Sequence, residues 1–208
     1  MPELIHYHSP FSRSYLVLWL LEELGAPNER RIVNIYKGEQ RDAAFRAVNP
    51  FGKVPVLVID GEPMTEALAI CLWLADAFPK AGLAPATTAP ERTRYLRFAT
   101  LSVTGIEPAV LDHETPRAGQ KRESTSYGER ETLLEVLTSA SSPGPFVLGE
   151  RFSAADVLLG GSLSWAFMIE GFPKPPELVS YVERCMARPA WQRTAAIDAE
   201  LMGGAPPM

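Results

Sequence analysis

The stretch that most restricts this chain is "NPFGKVPVLVIDGEPMTEALAI", residues 49–70. Within it "VPVLVID" has the apolar, β-branched character of a strand, and Pro55 falls at its start. A proline donates nothing to a ladder, so this strand must lie at a sheet edge or be entered at that residue. The turn "DGEP" ends it, a hairpin leads into a short fourth strand, and "MTEALAICLWLADAF" follows as a helix. Two chemical possibilities sit here. A cis Val54–Pro55 bond would turn the Val54 N–H and C=O outward, where they could pair with an extended peptide; a trans proline capping an edge strand is the equal alternative. At Thr65-Glu66-Ala67 the helix begins. Its free N–H groups attract a carboxylate, and the Glu66 side chain could hold an ammonium group beside it. The competing role is structural: Thr65 as helix N-cap, with Glu66 merely suiting the dipole.

Residues 1–79 alternate in type around this segment. "ELIHY" is a strand. "RSYLVLWLLEEL" is a helix with Val17, Leu20, Leu21 and Leu24 on one face, and Leu18 and Trp19 fill other sides, so it is buried nearly all round. Gly25 stands at its C-cap. "RIVNI" reads as a second strand and "DAAFRAV" as a short helix, giving the order β-α-β-α-β-β-α. Residues 80–88 form a linker, punctuated by Gly82 and Pro85 and flanked by Pro79 and Pro90. From 89 to 208 the strands vanish. Thr88-x-x-Glu91, Ser126-x-x-Glu129 and Ser153-x-x-Asp156 read as capping boxes, and Pro108 kinks or ends the first helix of this half. "HETPRAGQKREST" reads as a polar loop, "SSPGP" as a sharp break and "GGAPPM" as a loose tail. "DVLLGGSLSWAFMI" is a central helix, and Gly160 and Gly161 in it imply close helix packing. The expected fold class is an α/β domain followed by an all-α domain.

Composition narrows the function. A net charge of -5 over 208 residues, with scattered basic residues, argues against nucleic acid or an anionic membrane as partner. "MPELIHYHSP" lacks the features of a signal peptide, and no apolar run approaches the ~20 residues of a membrane span. Cys71 and Cys185 are the only cysteines, which make no disulfide framework and fit a reducing, cytoplasmic setting. Both read as small buried hydrophobes, and Trp19 and Trp73 as core. His6 and His8 alternate on the first strand and His113 lies in a loop, with no acid or cysteine at metal-ligand spacing. They read as surface or edge histidines, and no metal is expected.

An extended peptide held at its middle by Val54, with an α-amino-acid end at Glu66, has the outline of glutathione. On "SPFSRSYLVLWLLEELG", "NPFGKVPVLVIDG", "TEALAICLWLAD" and "PFVLGERFSAADVLL" the chain resembles the cytosolic glutathione transferase family over nearly its whole length. The resemblance implies a thioredoxin-like domain over 1–79, an all-helical domain over 89–208 that contributes the acceptor-substrate pocket, a homodimer, and glutathione as co-substrate with no metal. It implies that Val54 pairs its backbone with the cysteinyl part, ahead of cis-Pro55. Glu66 and the N–H of residue 67 would hold the γ-glutamyl end. Most relatives have serine there and many bacterial ones glycine; Ala67 keeps only the backbone contact. Lys53, with Lys37 as a second candidate, would meet the glycyl carboxylate, a surface role being the alternative for both. Ser153 and Asp156 would serve folding. The activity implied is attack of the glutathione thiolate on a hydrophobic electrophile or peroxide.

A thiol near pKa ~8.5 needs a donor aimed at sulfur to ionise at neutral pH, and the N-terminus of the first helix helps. "YHSPFSRS" supplies four hydroxyls. Pro10-Phe11-Ser12 matches the serine-type pattern, so Ser12 is the preferred catalytic residue, with Ser9, Ser14 and Tyr7 as alternatives. Ser12 or Ser14 could instead cap the helix. Arg13 stands where bacterial beta-class relatives carry a cysteine, which counts against a mixed-disulfide route. Phe11, Phe98, Trp165 and Met168 could line the acceptor pocket, although core packing suits each singly. Phe51, on the loop before the third strand, could anchor a partner subunit or fold back on its own domain. The rival functions are a glutathione-dependent disulfide or deglutathionylating oxidoreductase, and a non-catalytic glutathione-binding assembly module.

Overall fold

Strand β1 (Leu4–His8) leads into helix α1 (Ser14–Leu24), then β2 (Glu29–Ile32), α2 (Ala43–Val48), β3 (Val56–Ile59), β4 (Glu62–Thr65) and α3 (Ala67–Ala77). The computed structural model describes residues 1–115, 122–142 and 144–203. The strands form one sheet in the order β2-β1-β3-β4, with β1 and β2 parallel and the other pairs antiparallel. Pro63 lies in β4, an edge strand, where its missing N–H costs little. Asp60 and Gly61 both have positive φ, 49° and 90°, which is the two-residue hairpin turn that "DG" favours.

Helix α1 is enclosed as its sequence requires, with Leu16 through Leu21 at most 2% exposed. The expected strand "RIVNI" is shifted. β2 occupies Glu29–Ile32, and Asn34 Oδ1 accepts the N–H groups of Tyr36 and Lys37, closing a turn that stops the strand. His6 and His8 are also corrected. Both are fully buried, on the same face of β1 as Leu4. The opposite face, with Tyr7, lies on the Val33, Phe45 and Val56 cluster. Because β1 is an interior strand with cover on both sides, it leaves no solvent face for histidines.

The second compact unit is Gly82–Ala187. It contains α4 (Arg92–Leu101), a π-helical turn at Ser102–Ile106, α5 (Glu107–Glu114), α6 (Arg130–Thr138), α7 (Ala154–Ala166) and α8 (Pro176–Met186). Pro108 has no N–H for the Thr104 carbonyl, and the helix widens to the π turn just before it. Ser126 Oγ donates to that carbonyl at 2.5 Å. Ser126 therefore does not cap α6, and neither α6 nor α4 has a side-chain cap, so two of the three capping boxes do not form. The third does. Asp156 accepts from Ser153 N–H (2.9 Å) and Oγ (2.8 Å), Val147 N–H (2.7 Å) and Tyr181 Oη (2.9 Å) at the start of α7. A Cβ on Gly160 would lie 3.1 Å from Cys185 Sγ, so α7 and α8 meet where the glycine allows it. His113 is in the last turn of α5 rather than in a loop. The expected loop at "HETPRAGQKREST", the break at Pro143 and the tail "GGAPPM" fall wholly or partly outside the described residues.

The first unit is Met1–Ala81 together with the chain from Arg188. The expected helical domain over 89–208 thus ends at Ala187, and α9 (Pro189–Leu201) packs on α1. Trp191 meets Trp19 edge-on at 4.9 Å and Tyr15 at 5.9 Å. Arg188 makes a bidentate pair with Glu23 at 2.7 Å, and Arg193 bonds Glu22 at 2.8 Å. These partners lie more than 160 residues away in sequence, so no local pattern marks them.

Candidate active site

Strand register assembles the site. Val56 pairs with Tyr7 on one side and Thr65 on the other. The end of β1, the start of β3 and the end of β4 therefore share one end of the sheet. Ser12 follows β1 by four residues, Val54 precedes β3 by two, and Glu66 follows β4 by one. β2 ends there as well, opposite His8, and Lys37 follows it on an exposed turn.

The Val54–Pro55 bond is cis. Pro55 is buried, Val54 half-buried and ahead of the ladder, and the Lys53 side chain exposed. The preceding "NPFG" turn is built by Asn49, whose Nδ2 donates to the Lys53 carbonyl (2.7 Å) and whose Oδ1 accepts from Phe51 N–H (3.1 Å). Gly52 closes the turn at φ 60°, and a Cβ there would sit 2.8 Å from the Gln40 carbonyl oxygen, so no other residue fits. Phe51 is left 80% exposed.

Glu66 holds φ 69°, ψ 110°, a conformation that a residue with a side chain rarely adopts. It is exposed, directly before buried Ala67 at the start of α3. Thr65 does not cap that helix; Glu66 is the N-cap residue and makes no side-chain cap bond. Phe11 has φ 52° directly before Ser12. Of the three non-glycine residues with positive φ among the described residues, Glu66 is itself a candidate ligand contact and Phe11 directly precedes another, while Asp60 belongs to the β3–β4 turn.

The four hydroxyls do not share one environment. Tyr7 Oη accepts from Arg31 on β2 at 3.1 Å, on the far face of the sheet from His8. Ser9 is fully buried and its Oγ has no protein partner. Ser12 is half-buried. Its Oγ lies 2.7 Å from both the Ser9 carbonyl and Ser14 Oγ, and accepts from Ser14 N–H at 3.2 Å. Ser14 is fully buried, with its Oγ 2.8 Å from His8 Nδ1 and 2.8 Å from the Ser9 carbonyl. His8 Nε2 lies 2.8 Å from Asp198 Oδ1 on α9. The N-cap residue of α1 is Arg13, which makes no side-chain cap bond; Ser12 Oγ instead accepts the N–H of Ser14, the first residue of the helix.

His8 and Asp198 were not among the expected site residues. A signal for His8 existed: a strand beside a helix buried all round must have a covered face. Asp198 had none. His6, its ring centroid 5.4 Å from that of His8, has no protein hydrogen bond, and burial, then the neighbouring His8 and Arg30, push its pKa well below the usual histidine range. Cys71 and Cys185 are buried and in no disulfide, and burial raises the Cys71 pKa.

Of the expected pocket residues, Phe98 is corrected. It is fully enclosed beneath the guanidinium groups of Arg94 and Arg97, at 4.7 and 5.5 Å from its centroid, and offers a ligand no surface. Phe11 is exposed in the first unit; Trp165 is half-buried and Met168 71% exposed at the end of α7 in the second. Among the described residues no helix is long and apolar enough to cross a membrane, and no cluster of three or more His, Cys, Asp or Glu could hold a metal.

Residues 8–77 match the glutathione S-transferase N-terminal domain and residues 99–189 the C-terminal domain. Glutathione S-transferase GstA of Escherichia coli O157:H7 is 26% identical over 150 residues, covering 71% of this chain and 75% of that protein. A glutathione transferase structure from Methylococcus capsulatus str. Bath superposes with TM-score 0.77 at 29% identity, covering 95% of this chain and 99% of that one. A homolog from Sulfitobacter, solved with bound glutathione, gives 0.74 at 26% identity over 97% and 100%. The architecture is a thioredoxin-like α/β domain with a helical C-terminal domain, and the chain belongs to the glutathione S-transferase family.

Proposed function

We propose that this chain binds glutathione at the sheet end beside Val54, Glu66 and Ala67. It directs the Ser12 hydroxyl at the sulfur and presents the thiolate to a hydrophobic electrophile or peroxide, acting as a homodimer. The observation that carries this reading is the strand register, because it gathers a peptide-pairing edge, a helix N-terminus and a small hydroxyl at one sheet end. The homolog solved with glutathione supports the same ligand. Tyr7 is the weaker candidate, since its hydroxyl is engaged by Arg31. The disulfide-exchange alternative needs an accessible cysteine, and both cysteines are buried.

The test is a pH titration of thiolate absorbance in enzyme saturated with glutathione. Ser12→Ala should leave glutathione affinity at acidic pH nearly unchanged and raise the bound thiol pKa by about one to two units, the loss of one hydrogen bond to a charged group. A Ser12→Ala titration that matches wild type rejects Ser12. An upward shift in Tyr7→Phe instead makes this a tyrosine-type enzyme.

A further inference from the structure

When a bound thiol ionises, its proton must go somewhere. We propose that Ser14, His8 and Asp198 form a relay that takes this proton from Ser12 and keeps it inside the protein. The proposal rests on the reading of glutathione and Ser12 above. It names as functional two residues, Ser14 and His8, that water does not reach, and a third that belongs to the last helix.

The geometry is continuous. Ser12 Oγ to Ser14 Oγ is 2.7 Å, Ser14 Oγ to His8 Nδ1 is 2.8 Å, and His8 Nε2 to Asp198 Oδ1 is 2.8 Å. Hydrogen-bond arithmetic sets its direction. A carboxylate only accepts, so Asp198 fixes the His8 proton on Nε2 and leaves Nδ1 as a bare acceptor. The Ser14 proton is then drawn to Nδ1. Backbone N–H groups donate to both serine oxygens, Ser9 to Ser14 at 3.0 Å and Ser14 to Ser12 at 3.2 Å, so each oxygen keeps its single proton for onward donation. The Ser9 carbonyl lies within reach of both hydroxyls and gives each a second acceptor to turn to.

The step balances without any other reactant. The S–H bond breaks and its proton forms an O–H bond on Ser12, while Ser12 passes its own proton to Ser14. Ser14 passes its proton to His8 Nδ1, and the Nε2 proton stays on the Asp198 bond. The products are a thiolate, an imidazolium and a carboxylate. Every hydroxyl then points towards sulfur: Nδ1–H to Ser14, Ser14 to Ser12, Ser12 to the thiolate. Such chains strengthen each member in a low-dielectric interior. The arrangement shares the logic of a Ser-His-Asp triad, with a second serine between the imidazole and the reacting atom.

The titratable groups around His8 are compatible with this. His6, from the same strand, is kept neutral by burial and adds no competing positive charge. Asp198 faces His8 from α9, and its side chain is 16% exposed. Tyr36, near Asp198, is held protonated by burial and by that carboxylate. Cys71 on α3, bonded to the Leu16 carbonyl of α1, remains a thiol. Arg30 acts on His6.

The experiment counts protons. Glutathione is titrated into wild-type protein by calorimetry in buffers of different protonation enthalpy, at a pH between the free and bound thiol pKa values. Thiolate absorbance is read in parallel. The relay predicts well under one proton released per thiolate formed. A full proton released per thiolate overturns it. In Asp198→Asn, His8→Gln and Ser14→Ala the bound thiol pKa should rise, and each thiolate that still forms should release a full proton. Ser14→Ala leaves the His8–Asp198 contact in place, so it answers even if the other two variants unfold. Proton retention that persists in Ser14→Ala also overturns the relay. If wild type binds no glutathione, the functional reading fails and takes the relay with it; binding and ionisation with complete proton release sink the relay alone.

Discussion

Glu66 combines two demands on one residue. Its carboxylate is exposed and in the proposed reading meets an ammonium group, and its backbone, at φ 69°, ψ 110°, is the N-cap of α3, next to the helix's first N–H groups. Both matter for an α-amino-acid end, which carries both charges on one carbon. Glu66→Ala should weaken glutathione by about 1–3 kcal/mol, towards the lower end because the carboxylate is exposed. Isothermal titration measures this, and an unchanged affinity removes Glu66 from the site. Ala67 fits the same scheme with its backbone alone. Ser12 illustrates the opposite economy: its position is held by the Ser9 carbonyl and Ser14 N–H rather than by its own bulk.

At the scale of elements, α9 does more than end the chain. Its Trp191 lies against Trp19 and Tyr15 of α1, and Asp198 on the same helix reaches His8. The α1–α9 contact is thus part of what holds the start of α1, where Ser12 and Ser14 sit. Trp191→Ala removes an aromatic body from a half-buried contact and should cost about 2–3 kcal/mol, less than a fully buried tryptophan. Denaturant unfolding followed by circular dichroism gives the total. Hydrogen exchange should show α9 amides opening first; if their protection is unchanged, the ion pairs to Glu22 and Glu23 hold the helix instead.

For the whole molecule, two properties follow from burial and exposure. His6 is fully buried without a hydrogen-bond partner, and its folded pKa is depressed. The unfolded chain takes up a proton at this residue below about pH 6.5 and the folded chain does not. Stability is therefore fully present above that pH and is lost as pH falls, by up to about 1.4 kcal/mol per unit from this group. Thermal unfolding of wild type and His6→Leu between about pH 7.5 and pH 5 should show a flatter slope in the variant. Equal slopes would mean that His6 is hydrated or charged in the native state. Phe51 makes the second case. An aromatic ring 80% exposed on a rigid turn is costly to leave in water, and a partner subunit can cover it. Phe51→Ser should loosen the dimer in analytical ultracentrifugation, and a dimer as tight as wild type rejects the anchor.

What was legible in the sequence was local. The β3–β4 hairpin, the enclosed α1, the Ser153–Asp156 cap and the spacing from Pro55 to Glu66 all depend on residues within a few positions of one another, where propensity, turn chemistry and hydrophobic period act directly. The weaker local signals misled. The Thr88 and Ser126 boxes matched a pattern, but the helices start after Glu91 and Glu129, and Ser126 was drawn to the carbonyl that Pro108 leaves unpaired. Only the tertiary structure decided that the more deeply enclosed face of β1 is the one carrying His6 and His8, that α9 joins the first unit, and that His8 meets Asp198 from 190 residues away. Both faces of β1 carry apolar neighbours, so alternation alone cannot say that the histidines point inward. Nothing within reach of Asp198 along the chain marks it as a partner, because that bond exists only where packing brings α9 across the end of β1.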